Sequence, residues 1–422
     1  MSDWNLKDLE TWDEKICTIA KSYGLDWYPI TYETCDYYEM IGNMAYHGMP
    51  THYGHWSYGK SFEIQHSQYN AGATGLPYEL IINSDPCISY LMLENPLYLQ
   101  ILIMAHCVGH SDFFKMNRTF KYTRAETVVP RMRNAKKRIQ KYVEDPGIGI
   151  EQVEEIITAC HAISYQVPRT PVDYQVLKEE YDEYEPARKG NPPYPEYDIL
   201  GFVESFGSNT ETWISDIVSI IRDESHYFMP QIRTKTMNEG WACFWHYKIL
   251  HELNLPQKYH LPFLKSHNQV VRPHIGRINP YHLGFHLFQK IEKRHGLKEC
   301  FIAREVHNDE SFIRQYLTRE DCEELNLFSF TEETDAYIVD NVSDEEGWKE
   351  VKKKLINQIA ANSIPVIYVE NIGPSDTLVL HHEHDGRDLK IDYAEHVVKH
   401  VEKIWGSDVK LITMVDDAPF EI

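Results

Sequence analysis

The chain has 422 residues, 42% hydrophobic and 13% aromatic, enough apolar material to pack an interior and to exclude a disordered polypeptide. Its 42 Lys and Arg stand against 64 Asp and Glu, a formal net charge of −22, and a surface that acidic repels nucleic-acid phosphates and anionic lipid over most of its area. At this length two globular units are expected.

Residues 1–10 are polar and amphipathic, without the basic start and apolar stretch of a signal peptide, so export is not expected and a cytoplasmic location is. Residues 6–23 and 35–46 carry apolar side chains at three- and four-residue steps and are predicted half-buried helices. The next stretch, 52–70, mixes Gly, aromatics and His with no clean period and reads as an ordered loop or short hairpin. Pro96 suits the first position of a long helix over 97–117, whose apolar run is interrupted by Gln100 and His106 and is too short to span a bilayer. Helices are also predicted at 127–144, 149–164, 198–206, 210–225, 236–253 and 281–295, and the acidic, Tyr- and Pro-rich stretch 177–197 reads as an exposed connection. Over the last hundred residues the pattern changes, with strands predicted at 336–342, 365–370, 377–382 and 409–415 and helices at 347–361 and 393–405. The fold class expected is therefore a mainly α large domain (1–328), with a small α+β C-terminal domain (329–422) in the order β-α-β-β-α-β of a ferredoxin-like split βαβ. The first would carry any metal site, and the second would bind or dock.

His106 and His110 are one helical turn apart, the spacing of two metal ligands or of a satisfied histidine pair in a polar core. In a His-Glu-x-x-His metallopeptidase helix the general base follows the first His; here that position is Cys107. The segment Asn238 to Ala242 resembles the Asn-Glu-Gly-x-Ala turn of gluzincin metallopeptidases, making Glu239 a candidate third ligand beside Gly240, which permits close helix approach. His246 lies two turns beyond Glu239 on the same face, a further candidate ligand, with Cys243 between them. Glu79 and Glu224 are candidates for the missing base or for further ligands. The run from Lys115 to Lys141 is strongly basic and could receive an anionic substrate or the acidic stretch at 179–185, or be a solvated helix face. There is no Walker loop, Gly-x-Ser-x-Gly elbow or dinucleotide fingerprint. Eight scattered cysteines without a Cys-x-x-Cys pair read as reduced, buried thiols.

The segments HWSYGK (55–60), YELIINSDPCISYLM (78–92), AHCVGHSDFFKMN (105–117), YFMPQIRTKTMNEGWACFWH (227–246) and INPYHLGFHLFQKIE (278–292), followed by REVHNDESFIRQYLT and LVLHHEHDGRDL, together resemble the stage V sporulation protein R family, SpoVR. The resemblance implies a cytoplasmic bacterial protein associated with formation of the spore cortex, a modified peptidoglycan. It also implies partners in a serine protein kinase and a von Willebrand-like protein. His106, His110, Glu224, Glu239 and His246 match the family pattern, whereas His226 and His282 stand where other residues are common. Three readings follow: a hydrolase using zinc or another divalent metal, with a peptide or peptidoglycan-type substrate; an iron or manganese carboxylate oxidase; or a scaffold without catalysis.

Overall fold

In the computed structural model the first helix runs Leu6–Tyr23, and its ends show why: Asn5 and Asp8 form a reciprocal capping box, and Gly24 closes the helix at φ 90°. The structure describes residues 3–71, 79–169, 196–208, 211–274, 277–333 and 336–422. All but the last two residues of the connection read at 177–197 therefore lie outside the described residues, as does the acidic run 179–185. The chain is mainly α, with a small α+β part at its C-terminal end. It forms two units, one from Met1–Thr51, Ser57–Arg131 and Gln231–Asn362, the other from His52–Trp56, Met132–Pro230 and Ser363–Ile422.

The first unit is centred on the helices Leu97–Met116, Lys235–Glu252 and Pro280–His295. Leu97–Met116 is apolar on nearly every face and correspondingly buried almost throughout, as a central core helix must be. Pro96 caps it, and the Asp3 carboxylate accepts the Leu97 N–H at 2.8 Å. Trp241, Trp245, Phe288 and Phe312 fill the space around these helices. Against them lies a three-stranded sheet in which Cys87–Met92 is central, parallel to Ile30–Cys35 and antiparallel to Leu80–Ile82. Glu79 immediately precedes that last, edge strand.

The second unit contains a four-stranded sheet in the order Ile367–Ile372, Leu378–His382, Val409–Val415, Ala418–Glu421. Its middle pair is parallel, and the chain makes that connection through the helix Ile391–Trp405. The buried face of this helix, Val398, Val401 and Trp405, packs against the helix Gly149–Ala162 and against Phe202.

The C-terminal elements follow the predicted order, but their pairing is not that of one split βαβ sheet. Ala336–Val342 pairs antiparallel with Phe328–Glu333 as a separate two-stranded sheet in the first unit, and Ala418–Glu421 supplies the fourth strand of the other. Pairing is set by non-local hydrogen bonds, which element order does not encode. A second correction concerns 52–70: Trp56–Asn70 is a helix, with Tyr58 its one buried residue. A helix solvated around most of its circumference needs no apolar stripe, so the periodicity that would have revealed it is absent. No helix among the described residues is long and apolar enough to cross a membrane. All eight cysteines are free thiols, and all but Cys17 are buried.

Candidate metal centre

Three helix backbones come together at glycines. A Cβ on Gly109 would lie 2.7 Å from Ala242 Cα, and one on Gly240 would lie 2.4 Å from Gly284 Cα. Such distances are open only to residues without a side chain, so Leu97–Met116, Lys235–Glu252 and Pro280–His295 approach more closely than ordinary side chains permit. The expectation for Gly240 is met on these distances.

This approach gathers Glu79, His106, His110 and Glu239, whose ligand atoms all lie within 4.8 Å of one another. His106 Nε2 is 3.4 Å from Glu79 Oε1 and 3.7 Å from Glu239 Oε2, and His110 Nε2 is 3.4 Å from Glu239 Oε2. His106 Nε2 and Glu239 Oε2 are buried with no hydrogen-bond partner. Each such orphan costs on the order of 1–3 kcal/mol, a cost that coordination to a shared cation removes. Two imidazole nitrogens and two carboxylates are a donor set suited to zinc, manganese or ferrous iron, so these residues fit a divalent cation.

The charges are arranged accordingly. Burial works against the ionised form of Glu239, but the neighbouring His106 and His110 outweigh it and hold the carboxyl well below its usual range. Burial likewise opposes the charged form of His110; Glu239 and Glu79 overcome it and raise the pKa. Tyr281, partly buried against the core, is held in its protonated form by desolvation and then by the two carboxylates. A cavity of about 360 Å³ opens on the cluster, with Gln65, Leu80, Phe114, Asn238 and Tyr281 in its walls.

His110 Nδ1 lies 2.8 Å from Asn238 Oδ1. With the amide oxygen facing it, Nδ1 is a donor, and Nε2 is the nitrogen left facing Glu239. His246 points elsewhere: its Nδ1 meets His106 Nδ1 at 2.8 Å and its Nε2 meets His267 Nδ1 at 2.7 Å. Burial, then the neighbouring imidazoles, keep His246 neutral, and burial brings His267 down to about 4. Cys243 shares a second group of potential donors with His106 and His246, its thiol raised well above the ordinary range by burial. Cys107, in the position of the missing base, bonds instead to Ser89 Oγ at 3.2 Å.

Glu224 lies in the second unit, where Oε1 bonds His52 Nε2 at 2.7 Å and Oε2 accepts from Tyr53 OH at 2.9 Å. Asp112 ties its helix to its neighbours, accepting from Trp241 Nε1 and from the Asp26 N–H, each at 2.8 Å. In the basic run, Lys115 pairs with Asp26 and Arg138 with Asp216, so part of that charge is neutralised within its own unit.

Sequence reasoning did not single out Asn238, His267 or Tyr281. Asn238 stood inside a quoted motif beside Glu239, a signal that was available; nothing in the spacing marks His267, which reaches the cluster only through His246.

Comparison with known proteins places the whole chain in one group. Residues 3–189 and 174–364 match the family described as SpoVR like protein, and 365–416 match the SpoVR-like C-terminal domain. A relative from Escherichia coli (strain K12), named Uncharacterized protein YcgB, is 32% identical over 484 aligned positions, covering 100% of this chain and 94% of the relative. No solved structure gives a significant match.

Proposed function

This chain belongs to the SpoVR family, and from that premise we propose that it is a metal-dependent hydrolase whose first unit binds a divalent cation, zinc in our reading, through His106, His110 and Glu239. The observation that carries this reading is the pair of buried, partnerless atoms, His106 Nε2 and Glu239 Oε2, aimed at one point. When bound, such an ion lowers the pKa of a coordinated water and polarises a substrate carbonyl.

The chain's own residues supply the rest. Glu79, 3.4 Å from His106 Nε2, takes the role of the absent adjacent base and accepts the proton of the attacking water. Glu224, the other carboxylate considered for this role, is committed to His52 and Tyr53. Tyr281, kept protonated by burial, is a donor for a developing oxyanion. The cavity walls pair apolar side chains with the amides of Gln65 and Asn238, which suits a peptide or peptidoglycan-type amide and accords with the cortex association that the family resemblance implies.

Elemental analysis of the purified chain, wild type against a His106→Ala, His110→Ala double variant, tests this. The expected result is one zinc per wild-type chain and none in the variant. Equal, substoichiometric metal in both would leave the histidines structural and the scaffold reading in place. Iron or manganese with an oxygen-sensitive absorption band would move the reading to the oxidase.

A further inference from the structure

His106, His246 and His267 form a chain of three imidazoles, joined Nδ1 to Nδ1 at 2.8 Å and Nε2 to Nδ1 at 2.7 Å. All three are buried, and the rings of Tyr247 and Phe285 flank His267 at 4.8 and 4.9 Å. Each N···N bond requires one proton, and a neutral imidazole carries one. Three neutral rings in series can therefore be protonated in only two ways.

In the first arrangement His106 donates from Nδ1 to His246, and His246 donates from Nε2 to His267. His106 Nε2 is then a bare lone pair. In the second every proton sits one nitrogen back: His267 donates from Nδ1, His246 donates from Nδ1, and His106 carries its hydrogen on Nε2, facing Glu79 and Glu239 at 3.4 and 3.7 Å. His110 has no such choice, because the Asn238 oxygen only accepts.

We propose, resting on the metal-centre reading, that His246 and His267 are positioning residues forming a two-state tautomer switch: the second arrangement belongs to the metal-free chain and the first to the loaded one. On going from second to first, His106 Nε2 gives up one proton, each hydrogen bond passes its proton one nitrogen toward His106, and His267 Nε2 takes one up. No ring changes charge. The chain thus presents His106 as a ligand when a cation arrives and turns an N–H at the same nitrogen toward Glu79 and Glu239 when none is bound.

The test uses the full chain with Zn²⁺ as the probe and two readouts. Histidine ¹⁵N NMR of the wild type, with and without Zn²⁺, reports which nitrogen of each ring is protonated. His246 is expected to move from Nδ1–H to Nε2–H on zinc addition. Chelator competition then compares wild type, His246→Gln and His246→Leu. The glutamine oxygen still accepts from His106 Nδ1–H and preserves affinity, whereas leucine weakens it roughly 10–100-fold. An unchanged His246 tautomer, or a leucine variant that binds as tightly as wild type, overturns the switch while leaving the metal site standing. A wild type that binds no zinc overturns both. The wild-type spectra decide the matter even where the leucine variant does not fold.

Discussion

Replacing Gly240 by alanine adds one methyl group where two helix backbones meet. Its Cβ would stand 2.4 Å from both the Cα and the carbonyl carbon of Gly284. Carbon atoms pack comfortably at about 3.5–4.0 Å, so the two helices must part by more than about 1 Å. Backbone atoms cannot rotate away as a side chain would, which puts the cost at the upper end of the roughly 1–3 kcal/mol of overpacking. Alanine recovers about 1 kcal/mol of helix propensity, leaving a net destabilisation of roughly 2 kcal/mol. Gly42 is the internal control: it is also helical, but a Cβ there meets nothing within 4 Å. Gly42→Ala should therefore stabilise by about 0.5–1 kcal/mol. Urea unfolding followed by tryptophan fluorescence separates the two variants, whose midpoints should move in opposite directions. Zinc competition on folded Gly240→Ala should show weakened binding, since Glu239 is its immediate neighbour. A Gly240→Ala protein as stable as Gly42→Ala would refute the close-packing account of how the site is assembled.

Asp309 is fully buried, accepts the Thr236 and Met237 N–H groups at 2.8 Å each, and is pushed by burial up to about 7 from its ordinary 3.8. Because the folded state holds this proton more tightly than the unfolded one, the contribution is complete below about pH 4 and is lost as pH rises to about 7, at most about 4 kcal/mol. Asp309→Asn should remove that share of the slope, and urea midpoints from pH 4.5 to 7.5 that fall in parallel for both proteins would count against it. Glu224→Gln removes the charge from a buried carboxylate bonded to His52 and Tyr53, and should cost about 2–3 kcal/mol of stability while leaving the zinc stoichiometry intact. A loss of zinc in that variant would return Glu224 to the ligand set.

The local features of this protein are written in local sequence. The apolar steps over 6–23, the i,i+4 step of His106 and His110 and the strand at 409–415 depend on neighbours along the chain, and each is legible before any coordinate. Trp56–Asn70 escaped because its solvated faces leave no period. The arrangement of the site belongs to tertiary structure alone. Whether Glu239 faces two histidines, whether His246 turns to His106 and His267, and whether Glu224 is claimed by His52 all depend on which helix faces meet and how closely. The approach of Glu239 to the two histidines is decided by the Gly109–Ala242 and Gly240–Gly284 crossings, between residues far apart in the chain. Strand pairing in the C-terminal third follows the same rule: the sequence specifies which segments extend, while hydrogen bonds between distant segments choose their partners.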